Sequence, residues 1–116
     1  LAERVAGATG GAAPKLALDC VGGEATHRLA QCLAPGSAVV SYGAMSGERC
    51  QMDFYLMFRN DLRLLGMSFR RELQKRSRAE IAAIYAELAD RLAAGRLVAR
   101  IAATYPLTQW GEAFAH

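Results

Sequence analysis

Apolar residues gather into short, nearly continuous runs that alternate with stretches of helical spacing. The first run is Lys15-Leu16-Ala17-Leu18-Asp19-Cys20-Val21, closed by Gly22-Gly23. A continuous run of this length suits a parallel strand covered on both faces. A helix is predicted over residues 24–33, with Leu29, Cys32 and Leu33 on one face and Pro35-Gly36 as its stop. Residues 37–42, Ser-Ala-Val-Val-Ser-Tyr, form a second buried run that ends at Gly43. Strand, helix and strand joined by short connections make a βαβ unit, whose crossover is right-handed.

The pattern then changes twice. Residues 43–51 are a polar loop, and 52–60 place Phe54, Leu56, Met57 and Phe58 on one or two helical turns. Residues 62–68 are predicted to form a third strand. Ser77-Arg78-Ala79-Glu80 has the form of a capping box. Behind it, Ile81, Ile84, Tyr85, Leu88 and Leu92 recur at helical spacing, and Gly95 fits the left-handed position past the helix end. Residues 98–105 are predicted as a last strand, and Thr108 as the cap of a short helix carrying Trp110, Ala113 and Phe114. Residues 1–14, rich in Gly and Ala, carry little pattern.

This order of elements describes an open, mostly parallel α/β sheet with flanking helices. Such sheets bind ligands beyond the carboxyl ends of their strands. Three predicted strand ends here carry small residues: Val21-Gly22-Gly23, Tyr42-Gly43-Ala44 and Gly66-Met67-Ser68. Glycine lets backbone approach a ligand closely, so a shared groove is one reading. Tight turns alone are the other.

Composition narrows the function classes. At 116 residues, 53% hydrophobic and 22% charged, the chain has material for a core and not the make-up of a disordered segment. No apolar stretch reaches the roughly 18 residues of a membrane span, and no membrane role is expected. A net charge of +3 is too mild to imply nucleic acid, and none is expected as a partner. Cys20, Cys32 and Cys50 are odd in number and widely spaced, which gives neither a disulfide framework nor a zinc motif. Buried free thiols in a reducing, cytoplasmic compartment are the expectation.

Four segments together carry a resemblance. Leu18-Asp19-Cys20-Val21-Gly22-Gly23, the stretch from Val40-Ser41-Tyr42-Gly43-Ala44 to Gly47, and the stretch from Phe58-Arg59-Asn60-Asp61 to Gly66 occur in order. Tyr105-Pro106-Leu107 with Glu112-Ala113-Phe114 follows them. They resemble the C-terminal part of the nucleotide-binding domain of medium-chain dehydrogenases/reductases, in the branch of 2-enoyl thioester reductases and quinone oxidoreductases. The resemblance implies a partial Rossmann-type sheet and a single partial domain over 1–116, with the return to a catalytic domain starting near 98–116. It implies NADPH as cofactor and, for the full-length parent, hydride transfer to an enoyl thioester. A quinone oxidoreductase or a zinc-type alcohol dehydrogenase of the same superfamily is the alternative, and a non-catalytic α/β binding or dimerisation module is the rival from another class.

By the same resemblance, Cys20, Val21 and Gly22 line the nicotinamide ribose. Tyr42, Gly43, Ala44 and Met45 meet the nicotinamide carboxamide through backbone groups, with Gly43 bare of a Cβ so that the ligand can approach. Met67, Ser68 and Phe69 close the pocket. No G-x-G-x-x-G follows a strand in this chain, and the resemblance places the catalytic residues and any metal ligands outside it. The chain alone is therefore expected to be inactive and to lack segments at both ends.

Other residues invite weighing. His27 is expected on an exposed helix face without a catalytic partner. Asp19 suits a structural role more than a ribose contact. Tyr42 suits a wall more than a proton donor. Arg59, Arg63, Arg70, Arg71, Lys75, Arg76 and Arg78 concentrate positive charge within 59–78. This is either a solvated surface or a landing site for a carrier-linked acyl substrate, such as a coenzyme A or acyl carrier protein thioester. Leu62, Leu64, Leu65 and Met67 make the last strand of the doubly wound order apolar, an edge that must be paired or covered, and the resemblance implies that residues 62–68 pair with their copy in a homodimer.

Overall fold

A computed structural model describes residues 1–116, which form two compact units, Leu1–Leu73 and Gln74–His116. The first unit opens with α1 (Ala2–Thr9), then β1 (Leu16–Asp19), α2 (Glu24–Ala30), β2 (Ala38–Ser41), α3 (Phe54–Asn60), β3 (Arg63–Gly66) and the start of α4 (Phe69–Gln74). The strands make one parallel sheet in the order β1-β2-β3. Leu16 pairs with Ala38 and Ala38 with Arg63, so Ala17, Val39 and Leu64 share one face.

The core lies on that face. Val39 is fully buried, with Ala17, Ala30 and Leu62 around it and Leu29, Leu33, Met52, Leu56 and Met57 packed alongside. Burying Val39 alone contributes about 1.5–3 kcal/mol. The expected cover on both faces is not found. Leu16, Leu18 and Leu65 stand on the opposite face at 56, 61 and 46% exposure. The reason is topological: two right-handed crossovers that advance in the same direction put their helices on the same side of the sheet.

The elements follow local chemistry. Asp53 caps α3 by accepting the Leu56 N–H at 2.7 Å, and Asp61 ends it in the left-handed region at φ 50. The predicted helix over 24–33 ends in regular form at Ala30. Its last residues tighten into three-residue turns, with Cys32 N–H to Leu29 C=O at 3.0 Å and Leu33 N–H to Ala30 C=O at 3.2 Å. Two helices were not expected, α1 and α4. In α1 the Ala-rich stretch is helical after all and stops at Gly10, φ 63.

The second unit holds α5 (Arg78–Ala93), a 3₁₀ turn at Leu107–Gln109 and α6 (Trp110–Ala115). The capping box is formed as expected: Ser77 N–H donates to Glu80 Oε2 at 2.7 Å, and Glu80 N–H to Ser77 Oγ at 3.2 Å. The Ser77 bonds hold the Glu80 carboxyl below its ordinary pKa. Gly95 takes the left-handed position at φ 66. The expected strand over 98–105 is absent, because a strand needs a neighbour for its ladder and this unit supplies none. Thr108 lies inside the 3₁₀ turn and caps nothing with its side chain. No helix is long and apolar enough to cross a membrane.

Candidate functional site

The sheet ladder continues one residue past the strands. Tyr42 N–H donates to Asp19 C=O at 2.8 Å, and Met67 N–H to Ser41 C=O at 2.8 Å. Cys20, Tyr42 and Met67 therefore lie side by side across the carboxyl edge of the sheet, on the row after Asp19, Ser41 and Gly66. The three strand ends singled out in the sequence are brought together.

The turn after β1 is shaped by one carboxylate. Asp19, 1% exposed, accepts the Val21 N–H at 2.9 Å and the Gly22 N–H at 3.0 Å on Oδ1, and the Thr26 hydroxyl at 2.6 Å on Oδ2. Burial pushes its pKa up, but the bonds from Thr26, Gly22 and Val21 outweigh burial and hold it below the ordinary value. Both oxygens are used within the turn, so Asp19 serves structure. Gly22 and Gly23 both have positive φ, 77 and 58, which bends the chain from β1 into α2.

The loop after β2 folds back over this turn. Met45 N–H donates to Cys20 C=O at 3.1 Å, Ser46 N–H to Val21 C=O at 2.9 Å, and Ser46 Oγ to the same carbonyl at 2.7 Å. A Cβ on Gly43 would stand 2.7 Å from the Cys20 carbonyl oxygen and 3.1 Å from its Cα. This corrects the expectation for Gly43: the space its missing side chain leaves is filled by the backbone of Cys20 and not by a ligand.

These bonds decide which backbone groups remain. The N–H groups of Tyr42, Met45 and Ser46 are engaged. Those of Gly43 and Ala44 donate to nothing in the chain. Two successive free donors thus sit at the mouth of the central strand, a local arrangement that attracts a carbonyl or anionic oxygen. Around them Val21, Tyr42, Met45, Met67 and Phe69 are all exposed. The Tyr42 hydroxyl is held above its ordinary pKa, first by the neighbouring Cys20 side chain, then by desolvation and by the Asp19 charge. The Ser68 hydroxyl accepts the Arg71 N–H at 3.3 Å at the start of α4, so it is occupied as a helix cap.

Several expectations are corrected here. The three cysteines are free, but none is buried: Cys20 and Cys32 are half-buried and Cys50 is exposed. His27 is half-buried beside two open clefts, and both ring nitrogens have partners, Gln31 and the Asp53 N–H. Leu62 belongs to the core and not to the apolar edge, while Leu64, Leu65 and Met67 are exposed. The seven basic residues of 59–78 are all exposed, divided between the two units, and Arg63 donates to the Gly36 carbonyl at 3.1 Å. The two free N–H groups were within reach of sequence reasoning only as unspecified backbone contacts. Nothing in the residue types tells Gly43 and Ala44 apart from Tyr42 and Met45.

The family model for the zinc-binding dehydrogenase domain matches residues 2–116. The chain belongs to the zinc-binding dehydrogenase family. The curated relatives it matches are mitochondrial enoyl-[acyl-carrier-protein] reductases. The mitochondrial enoyl-[acyl-carrier-protein] reductase of Mus musculus is 32% identical over 100 residues, covering 86% of this chain and 27% of that protein. The chain thus spans about a quarter of the length of the curated relatives it matches. Among solved structures, a Bacillus thuringiensis protein given as an NADPH:quinone reductase superposes with a TM-score of 0.71 at 22% identity, over 98% of this chain and 34% of its own. The Etr1p/Etr2p heterodimer of the mitochondrial 2-enoyl thioester reductase from Candida tropicalis does so with a TM-score of 0.71 at 20% identity, over 98% and 34%. At these identities the two structures establish the fold. No group of three or more His, Cys, Asp and Glu side chains lies close enough to hold a metal ion, so the residues present do not fit the zinc of the family name.

Proposed function

We propose that this chain carries the nicotinamide side of the cofactor site of an NADPH-dependent oxidoreductase whose hydride acceptor is an enoyl thioester. The observation that carries the reading is the pair of free N–H groups at Gly43 and Ala44, set at the carboxyl end of the central strand. Ligands of open parallel sheets lie outside that edge. Cys20, Val21 and Gly22 would line the ribose, and Met67, Ser68 and Phe69 would close the pocket. Of the group Tyr42, Gly43, Ala44 and Met45, the Tyr42 and Met45 N–H groups are already given to Asp19 and Cys20. The carboxamide oxygen therefore falls to Gly43 and Ala44.

When bound, the reduced nicotinamide supplies the hydride. The residues of this chain orient it, and none is assigned a catalytic role. The relative at 32% identity favours a thioester acceptor over a quinone. The proposal extends to the whole of 1–116 as part of one nucleotide-binding domain, to a homodimer through the free edge of β3, to a carrier-linked substrate steered by Arg70 and Arg71, and to a cytoplasmic setting.

Turnover by the full-length protein tests the reading. It should oxidise NADPH when given a crotonyl thioester. Oxidation with a quinone alone would move the assignment to the quinone branch, and no oxidation with either acceptor would reject it.

A further inference from the structure

The loop between β2 and α3 is fastened to the β1–α2 segment at successive points. Met45, Ser46 and Gln51 donate their N–H groups to the carbonyls of Cys20, Val21 and Gly23, the last at 3.1 Å. The fourth fastening differs in kind. The Asp53 N–H donates to Nδ1 of His27 at 3.3 Å. A carbonyl accepts at any ordinary pH, whereas imidazole accepts only while neutral.

The local chemistry makes this bond a decision between two states. With Nδ1 accepting, the proton of the neutral ring is on Nε2, which lies 3.0 Å from the Gln31 side-chain amide. Turning that amide to present its oxygen makes the contact a donor–acceptor pair. A second proton on Nδ1 sets two donors against each other and removes the Asp53 bond. Asp53 is also the N-cap of α3, its Oδ1 accepting the Leu56 N–H at 2.7 Å.

The charged groups around His27 are Glu24 on its own helix, Asp53 on the loop and Arg59 on α3, with Cys50 and Tyr55 also lining the two clefts that flank the ring. These clefts enclose about 410 and 460 Å³, so the ring is open to solvent protons. Imidazole is the side chain that ordinarily changes charge between about pH 5 and 8.

We infer that His27 is a pH-sensitive latch: neutral, it holds residues 51–53 and the first turn of α3 against α2, and protonated, it releases them. The inference is independent of what the strand-end groove binds. Amide exchange followed by NMR at about pH 7.5 and about pH 5.5, corrected for intrinsic rates, tests it. The Asp53 amide should lose about fivefold protection on acidification, the equivalent of one ordinary hydrogen bond of about 1 kcal/mol. The Tyr42 amide, bonded to the Asp19 carbonyl, should not change. In His27→Ala, Asp53 should be unprotected at both pH values while Tyr42 stays protected. His27→Gln serves as the second variant and should likewise show no step. Equal Asp53 protection at both pH values in the wild type, or a step that persists in both variants, would overturn the latch.

Discussion

The Thr26 hydroxyl donates to Asp19 Oδ2 at 2.6 Å, joining the end of β1 to the first turn of α2 across a carboxylate that is 1% exposed. With the Val21 and Gly22 N–H groups on the other oxygen, this contact fixes the turn beneath the groove. Asp19→Ala leaves three donors without a partner and should cost upwards of about 3 kcal/mol, read as a shift in urea midpoint. Asp19→Asn keeps one acceptor and should cost less, about 1–3 kcal/mol. A neutral effect of the alanine variant would mean that the turn does not depend on Asp19.

The same carboxylate sets an acid limb. Its folded pKa is depressed, so its contribution is fully present above the unfolded carboxylate value of about 3.9 and is lost as pH falls through the lower folded value. Denaturation midpoints measured downward from about pH 5 should fall more steeply in the wild type than in Asp19→Asn. Parallel curves would place the acid sensitivity elsewhere.

Gly43→Ala should destabilise the fold itself, since its Cβ meets the Cys20 backbone at 2.7 Å. A cost of about 1–3 kcal/mol is expected from overpacking of this kind. Gly47→Ala, which meets nothing and only strains a φ of 70, should cost about 1 kcal/mol. Thermal melts of the two variants separate the cases, and equal melting points would remove the proposed close approach.

The β-sheet edge gives a test of self-association. Arg63 and Met67 donate their N–H groups to Ser37 and Ser41 in β2, so by alternation the Leu64 N–H points to the free edge. Leu64→Pro removes an outward donor and should yield monomer by light scattering, while Leu64→Ile should stay dimeric. A wild-type protein that is monomeric at high concentration would defeat the dimer.

Neutralising Arg70 and Arg71, both exposed on α4, should lower kcat/KM for carrier-linked thioesters in a salt-dependent way and spare a short uncharged enone. Equal losses on both substrates would show that the pair does not steer a carrier.

Much of this was legible in the residues. The runs around Ala17, Val39 and Leu64 marked three parallel strands, because strand-forming residues bounded by glycine have few other readings. Ser77 and Glu80 marked a helix start for the same local reason. What the residues did not reveal depended on partners. Leu16 and Leu18 look as buried as Ala17 until topology puts both crossover helices on one face. Val98 and Ile101 look like strand residues but have no neighbour to pair with in their unit. In the site, Gly43 was recognised as special, yet its reason, contact with Cys20, is a relation between segments 23 residues apart in sequence that no local pattern encodes.

The central claim is that Gly43 and Ala44 receive the nicotinamide. Amide chemical shifts of the ¹⁵N-labelled protein titrated with reduced nicotinamide mononucleotide, and then with NADPH, test it directly. The account predicts that the Gly43 and Ala44 resonances move furthest with both ligands, with binding to this chain no tighter than about 100 μM, about 5.5 kcal/mol. Shifts that leave Gly43 and Ala44 in place while other residues respond, or no shifts at saturating ligand, would contradict it.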